Sequence, residues 1–150
     1  MLLTARFIAD FQFGRGAGEI LFSDDTTFQL SSSKRLRYLF SGQERIATLR
    51  AGDGLLALSL LGARRLHVGF SPPALRVTVS EDASPFVARG GNVFARHVVA
   101  VDGEIRAGDE VLVTDVQDRL IATGKAILAP DEMLQMRRGL AVSTRYGVEK

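Results

Sequence analysis

Between Pro85 and Arg96 the chain reads PFVARGGNVFAR, where two adjacent glycines (Gly90, Gly91) are flanked by arginines (Arg89, Arg96) and phenylalanines (Phe86, Phe94). Together with Asn92 and Val93, these residue types suit a surface that grips a phosphate-linked chain. Guanidinium groups neutralise phosphates, and two glycines let a ligand approach the backbone donors of Gly90, Gly91 and Asn92. An exposed aromatic ring can take a splayed base in a stack worth ~1–3 kcal/mol. The competing use is structural, because strands and short helices need apolar anchors. We expect one phenylalanine to pack inward and the other to face outward.

No comparable set for catalysis is visible. The acidic pairs Asp24-Asp25, Glu81-Asp82, Asp109-Glu110 and Asp131-Glu132 are sequence neighbours, which face opposite sides of a strand or serve the macrodipole at a helix start. His67 and His97 are the only histidines and neither has a second ligand at metal spacing. The absence of cysteine removes disulfides, thiolate zinc sites and cysteine nucleophiles. GRGAG at 14–18 follows a helical pattern and lacks the Lys-Ser/Thr of a phosphate loop, so it reads as a helix terminus. No catalytic residue, metal or cofactor is expected.

Of the 19 basic residues 16 are arginine, the side chain whose planar fork suits phosphates and base edges, although a GC-rich genome gives the same skew. Residues 1–73 carry nine basic and six acidic side chains and 74–150 carry ten and eleven, so any nucleic-acid surface must be a local patch. Lys34, Arg35 and Arg37, with Arg64 and Arg65, could extend such a patch, as could Lys125 and Arg145; short charge runs also serve simply as solvated faces. Arg6 and Asp10 interrupt the apolar start, which argues against a secretory signal. The longest weakly polar run, Gly54–Ala63, falls far short of the ~20 residues that cross a bilayer. A cytoplasmic location without membrane association is the expectation.

These residues need elements to hold them. Leu2, Leu3, Phe7, Ile8 and Phe11 recur at helical spacing and predict a helix with that face buried, ending at Gly14. Strand-like runs follow at 18–22, 45–51, 55–61 and 63–68, giving a helix on a small antiparallel sheet. Ser71-Pro72-Pro73 marks a boundary between domains at 1–73 and 74–150. In the second, Leu75, Val77 and Val79 alternate with Arg76 and Thr78 along a strand. Ser84 and Pro85 open a short helix, as cap and first helical residue, and Gly90 ends it. Strands at 92–101, 109–115 and 118–128 follow, the last two forming a hairpin. A helical turn from Pro130 and a final strand at 139–145 complete a small β-barrel. The fold class is therefore α+β followed by a barrel with short helices.

From Arg76 on, the ordered elements EDASPFV, Gly90, NVFARHVV, GEIRAGDEVLV, LIATGKAIL and GLAVSTR resemble the RNA-binding PUA domain, most closely that of archaeosine tRNA-guanine transglycosylase. The preceding part, through DFQFGRGAGEILF, RIATLRAGDGLLALSLLGARRLHV and the proline bridge, resembles the smaller domain that comes before it there. Gly91 and His97 stand where that branch would carry a charged and an aromatic residue, and Arg96 where lysine is common. The enzyme's catalytic barrel, zinc-binding cysteines and reacting carboxylates have no counterpart in this sequence. The resemblance implies a tRNA-docking tail that holds the acceptor stem and 3′ end, with Phe86 as the stacking ring and Arg145 closing the groove. It further implies a separately encoded catalytic transglycosylase subunit as partner. An adaptor that binds ribosomal RNA or protein is the alternative.

Overall fold

The structure, a computed structural model, describes residues 1–149. The chain separates into two compact units, Met1–Gly69 and the part from Phe70 onward.

The first unit contains α1 (Leu2–Phe13), α2 (Ala17–Leu21), β1 (Thr27–Leu30), β2 (Leu36–Ser41), β3 (Glu44–Leu49), β4 (Leu56–Leu58) and α3 (Leu60–Gly69). Its strands form an antiparallel sheet in the order β1-β2-β3-β4. The core face of α1 is not the one expected. Ala5, Ala9 and Phe13 are buried, whereas Leu3, Phe7 and Phe11 point into solvent. Small residues win the inner face because the helices touch backbone to backbone, and a Cβ on Gly18 would collide with the main chain of Arg6.

Two predicted strands are helices. GEILF lies in α2, whose entry is set by Gly16 in the left-handed region (φ 93°) and by the Asp10 carboxylate, which accepts the Gly18 N–H at 2.7 Å. The apolar run 55–68 divides into β4 and α3, because Gly62, Ala63 and Leu66 share one helical face. Gly62, which separates the two expected strands 55–61 and 63–68, is instead where α3 meets β3, and a Cβ there would strike the Ile46 carbonyl. Continuous apolar runs do not distinguish a buried strand from a buried helix, and β1 and β2, which are half exposed, left no clean alternation to read.

The second unit holds β5 (Arg76–Val79), α4 (Ser84–Ala88), β6 (Val93–Phe94), a 3₁₀ turn (Ala95–His97), β7 (Val98–Val101), β8 (Glu110–Thr114), β9 (Leu120–Ala126), α5 (Pro130–Gln135) and β10 (Leu140–Gly147). The sheet order is β6-β10-β9-β8-β5-β7, antiparallel except for the parallel pair β5 and β8. Its two edge strands are joined in sequence by the 3₁₀ turn, so the sheet curls into a nearly closed barrel. Val77, Val79, Val111, Val113 and Val142 fill it, with Val87 and Val93 sealing the side near α4.

Arg76, expected on an outward face, is instead buried; its guanidinium donates to Asp118 at 2.8 and 3.3 Å and to the Ala74 carbonyl. The predicted hairpin turn is held by Asp115, whose carboxylate accepts from the amides of Gln117 and Arg119 and from Arg119 Nε. Ser84 is not the cap of α4 but its first residue, and its hydroxyl donates to the Ser80 carbonyl.

Candidate nucleic-acid interface

The segment PFVARGGNVFAR becomes α4, a glycine turn and β6. Helix α4 stops because Gly90 takes φ 104°, a conformation closed to most side chains, with its N–H donating to Val87 O at 2.9 Å. The Gly91 N–H donates to Phe86 O at 3.0 Å. Both amides are thus engaged inside the turn, and the expected presentation of these donors to a phosphate does not occur.

Gly91 has another use. A Cβ there would overlap the Phe86 ring, so the missing side chain lets that ring lie flat against the turn. Strand β10 secures the arrangement from below. Gly147 leaves no room for a Cβ against Ala88 O and Gly90 N, and the Glu149 N–H donates to Ala88 O at 2.9 Å. Asn92 Oδ1 accepts the Thr144 N–H at 3.0 Å. The turn is therefore stitched to the barrel at three points, and its aromatic ring is presented from a rigid support.

Neither phenylalanine is core. Phe86 is 52% exposed and Phe94 37%, because the inward positions of α4 and β6 are taken by Val87 and Val93. Both rings line a cavity of about 260 Å³, together with Asp82, Val87, Asn92, Arg96 and His97. Val93, buried beneath, contributes its inner wall. Arg96 stands with its Cζ 5.4 Å from the Phe94 ring centroid, and its Nε donates to His97 Nε2 at 3.2 Å. Arg89 is exposed on the adjoining turn, and its guanidinium has no partner among the described residues. A mostly apolar slot lined by two aromatic rings, a carboxylate and a guanidinium suits a flat heteroaromatic group attached to an anionic chain. Asp82 would repel a phosphate inside the slot but can accept from a base amino group or a ribose hydroxyl.

Asp82 and His97 were not anticipated as cavity residues. The four-residue spacing between Asp82 and Phe86 was a usable signal; the approach of His97 depends on the 3₁₀ turn that interrupts the predicted strand 92–101. Arg145, expected to close the groove, does not line the cavity. Its two terminal nitrogens bind Glu110 at 2.6 and 2.8 Å, and that hydrogen-bonded carboxylate raises the guanidinium's pKa further against the opposing effect of burial. Lys125 is exposed on β9, also outside the cavity.

In the first unit, Arg35, Arg37 and Arg50 line a second depression of about 260 Å³ with Ser31 and Ser33. Lys34 projects from the same turn at φ 63°. Arg37 stacks near Tyr38 with its Cζ 5.9 Å from the ring centroid, and Arg50 is paired with Asp53 at 2.9 Å. The other cluster is differently used: Arg65 Nη1 donates to the Leu21 carbonyl at 2.6 Å and Arg64 lies 3.8 Å from Glu44. Among the described residues no group of three or more His, Asp or Glu is placed to hold a metal ion, and no helix is long and apolar enough to cross a membrane.

Residues 4–73 match the patch-forming domain C2 of tRNA-guanine transglycosylase, and residues 75–148 match the PUA domain. A tRNA-guanine(15) transglycosylase of Methanothermobacter thermautotrophicus is 48% identical over 143 residues, which is 95% of this chain and 22% of the relative. One from Thermococcus kodakarensis is 46% identical over 144 residues, 95% of this chain and 24% of its own length. The chain thus spans about a quarter of the length of these curated relatives. A crystal structure of a hypothetical protein from Pyrococcus horikoshii OT3 shares the fold with a TM-score of 0.76 at 20% identity, covering 99% of this chain and 90% of that one. On these matches and on its two units, the chain is a C2 patch-forming domain followed by a PUA domain, similar to archaeal tRNA-guanine(15) transglycosylases over about a quarter of their length.

Proposed function

We propose that this chain binds tRNA and docks its acceptor end for the base-exchange reaction of an archaeosine-type transglycosylase, whose catalytic residues lie on a separately encoded subunit. The observation that carries the reading is the half-exposed Phe86 ring, seated on Gly91 and lining a mostly apolar slot, three residues before the exposed Arg89, whose guanidinium has no partner among the described residues. A duplex stem offers little readable sequence in its deep major groove, so the docking surface must use backbone charge and an unstacked terminal base. The slot takes that base between Phe86 and Phe94, with Asp82 and Asn92 at its polar edge. Arg89 and Arg96 neutralise the neighbouring phosphates.

Arg35 and Arg37 of the first unit, with Lys34 beside them, add a second phosphate contact. Arg64 and Arg65 contribute less, since Arg65 is committed to the Leu21 carbonyl and Arg64 faces Glu44. Arg145 acts in this scheme from behind, keeping the buried Glu110 carboxylate neutralised on the sheet that supports the turn. Lys125 remains an outlying cation of the same footprint.

The test compares intact tRNA with tRNA trimmed at its 3′ end over a range of salt concentrations. Tight, salt-dependent binding of the intact form and weaker binding of the trimmed form are expected. Equal affinity for both refutes end recognition, and affinity that ignores salt refutes the phosphate contacts.

A further inference from the structure

The side chains of the Phe86 and Phe94 cavity offer several donors and a single open acceptor. Asn92 spends its Oδ1 on the Thr144 N–H at 3.0 Å, which leaves its Nδ2 group as a donor with no partner among the described residues. His97 spends Nε2 on Arg96 Nε at 3.2 Å, so the proton of the neutral ring sits on Nδ1 and that nitrogen also donates. Arg96 donates only. The acceptor still open is the exposed Asp82 carboxylate, which has neither a hydrogen-bond nor an ion-pair partner among the described residues.

This imbalance selects among bases. Phosphates are drawn to Arg89 and Arg96 and repelled by Asp82, and no ion pair joins Arg96 to Asp82 among the described residues although both line the cavity. The sugar and its phosphates therefore keep away from the carboxylate, and what meets Asp82 is the edge of the base remote from the sugar. On that edge cytosine, adenine and guanine carry an exocyclic amino group, which a carboxylate accepts. Uracil instead carries a carbonyl oxygen on either side of its ring N–H, and a carboxylate facing such an oxygen is left unpaired and repelled. The Asn92 Nδ2 group complements the same selection, because the amino group of cytosine or adenine stands next to a ring nitrogen that accepts.

We infer that Asp82 is a specificity-determining residue, which accepts from the exocyclic amino group of the base in the slot and thereby excludes uracil. The inference rests on the tRNA-docking reading and adds which bases the slot takes.

The experiment measures binding of the full chain to tRNA labelled away from its 3′ end, by fluorescence anisotropy at one salt concentration. The tRNA is supplied with its native unpaired end of cytidine and adenosine, with those positions replaced by uridine, and with the end trimmed away. A hydrogen bond to a charged acceptor corresponds to about tenfold in affinity, and the unaltered chain is expected to prefer the native end over the uridine end by that factor. Asp82→Asn keeps the shape of the side chain but adds an amino group that donates to a uracil carbonyl, so it should bring the two ends within about threefold of each other. Because Asp82 is exposed and makes no printed contact with the fold, the variant should keep the thermal midpoint. Removing its charge raises the affinity for every RNA, so the ratio of the two ends is the readout. Equal affinity of the unaltered chain for the native and uridine ends overturns the inference and assigns Asp82 to a ribose hydroxyl. A full preference that survives Asp82→Asn overturns it as well. Equal affinity for the native and trimmed ends would instead refute the docking reading on which the inference rests.

Discussion

Truncating Phe86 to alanine removes a ring that is 52% exposed and otherwise seated against Gly91. About half of its surface, ~100 Å², is covered by protein, so at ~25 cal/mol per Å² the fold loses at most about 2.5 kcal/mol. The exposed half is what a base would stack on, worth ~1–3 kcal/mol, which translates into tRNA binding ~5- to 150-fold weaker. No charge is removed, so the slope of log K against log salt should be unchanged. Fluorescence anisotropy with tRNA labelled away from its 3′ end, repeated at four or five salt concentrations, reads both quantities. Circular dichroism on the same samples establishes that the variant is folded. Binding within twofold of the unaltered chain, by a folded variant, refutes the stacking role. A slope that flattens by a full unit refutes the separation of stacking from charge. Gly91→Ala offers an independent check, because its Cβ must displace the ring, and it should weaken binding in the same direction with the slope again unchanged.

Arg89→Ala should do the converse, flattening the salt slope by about 0.7–0.9 unit while weakening binding to all tRNAs alike; an unaltered slope refutes a phosphate contact there. Arg145→Ala removes both guanidinium donors from the buried Glu110 carboxylate and should cost about 3 kcal/mol of stability in urea titration, while leaving the tRNA affinity of the folded protein within about threefold; a loss of affinity without loss of stability would return Arg145 to the groove. Gly62→Ala should destabilise the first unit, since the Ile46 carbonyl cannot yield without breaking the α3 and β3 contact; an unchanged melting profile refutes that contact. Burial opposes the charge on Asp115, but the amides of Arg119 and Gln117 and the Arg119 guanidinium outweigh it and hold the carboxyl below its usual range. Its stabilisation is therefore complete above the unfolded-state value of ~3.9 and is lost as pH falls through the lower folded value. Asp115→Asn should flatten the acid limb of a stability profile below about pH 4, and an identical limb in both proteins refutes the assignment.

Local chemistry carried much of the second unit. The stop at Gly90, the hairpin turn at 116–118 and the helical turn at Pro130 were readable because each depends on residues within a few positions of one another. The helical character of α1 was readable for the same reason, but its inward face was not. Periodicity reports that a face is apolar without reporting what covers it, and here the alanines pack because α2 approaches closely at Gly18. The strand expected at 63–68 failed on the same ground: a short apolar run has no period of its own when both sides are buried.

For the candidate site, the residue types in PFVARGGNVFAR indicated aromatic and cationic chemistry, and the resemblance supplied the domain and its order. Which atoms remain available was decided by partners far along the chain. Thr144, 52 positions from Asn92, engages the Asn92 carboxamide, and Glu110, 35 positions from Arg145, claims that guanidinium. The amides of Gly90 and Gly91 turn inward because the helix end needs them. By itself the sequence determined much of the order of elements in the second unit and the composition of its glycine turn, since these follow from backbone preferences of neighbouring residues. Only the tertiary structure decided which rings and cations face solvent, because exposure is set by whatever distant segment packs against a residue, and local spacing contains no record of it.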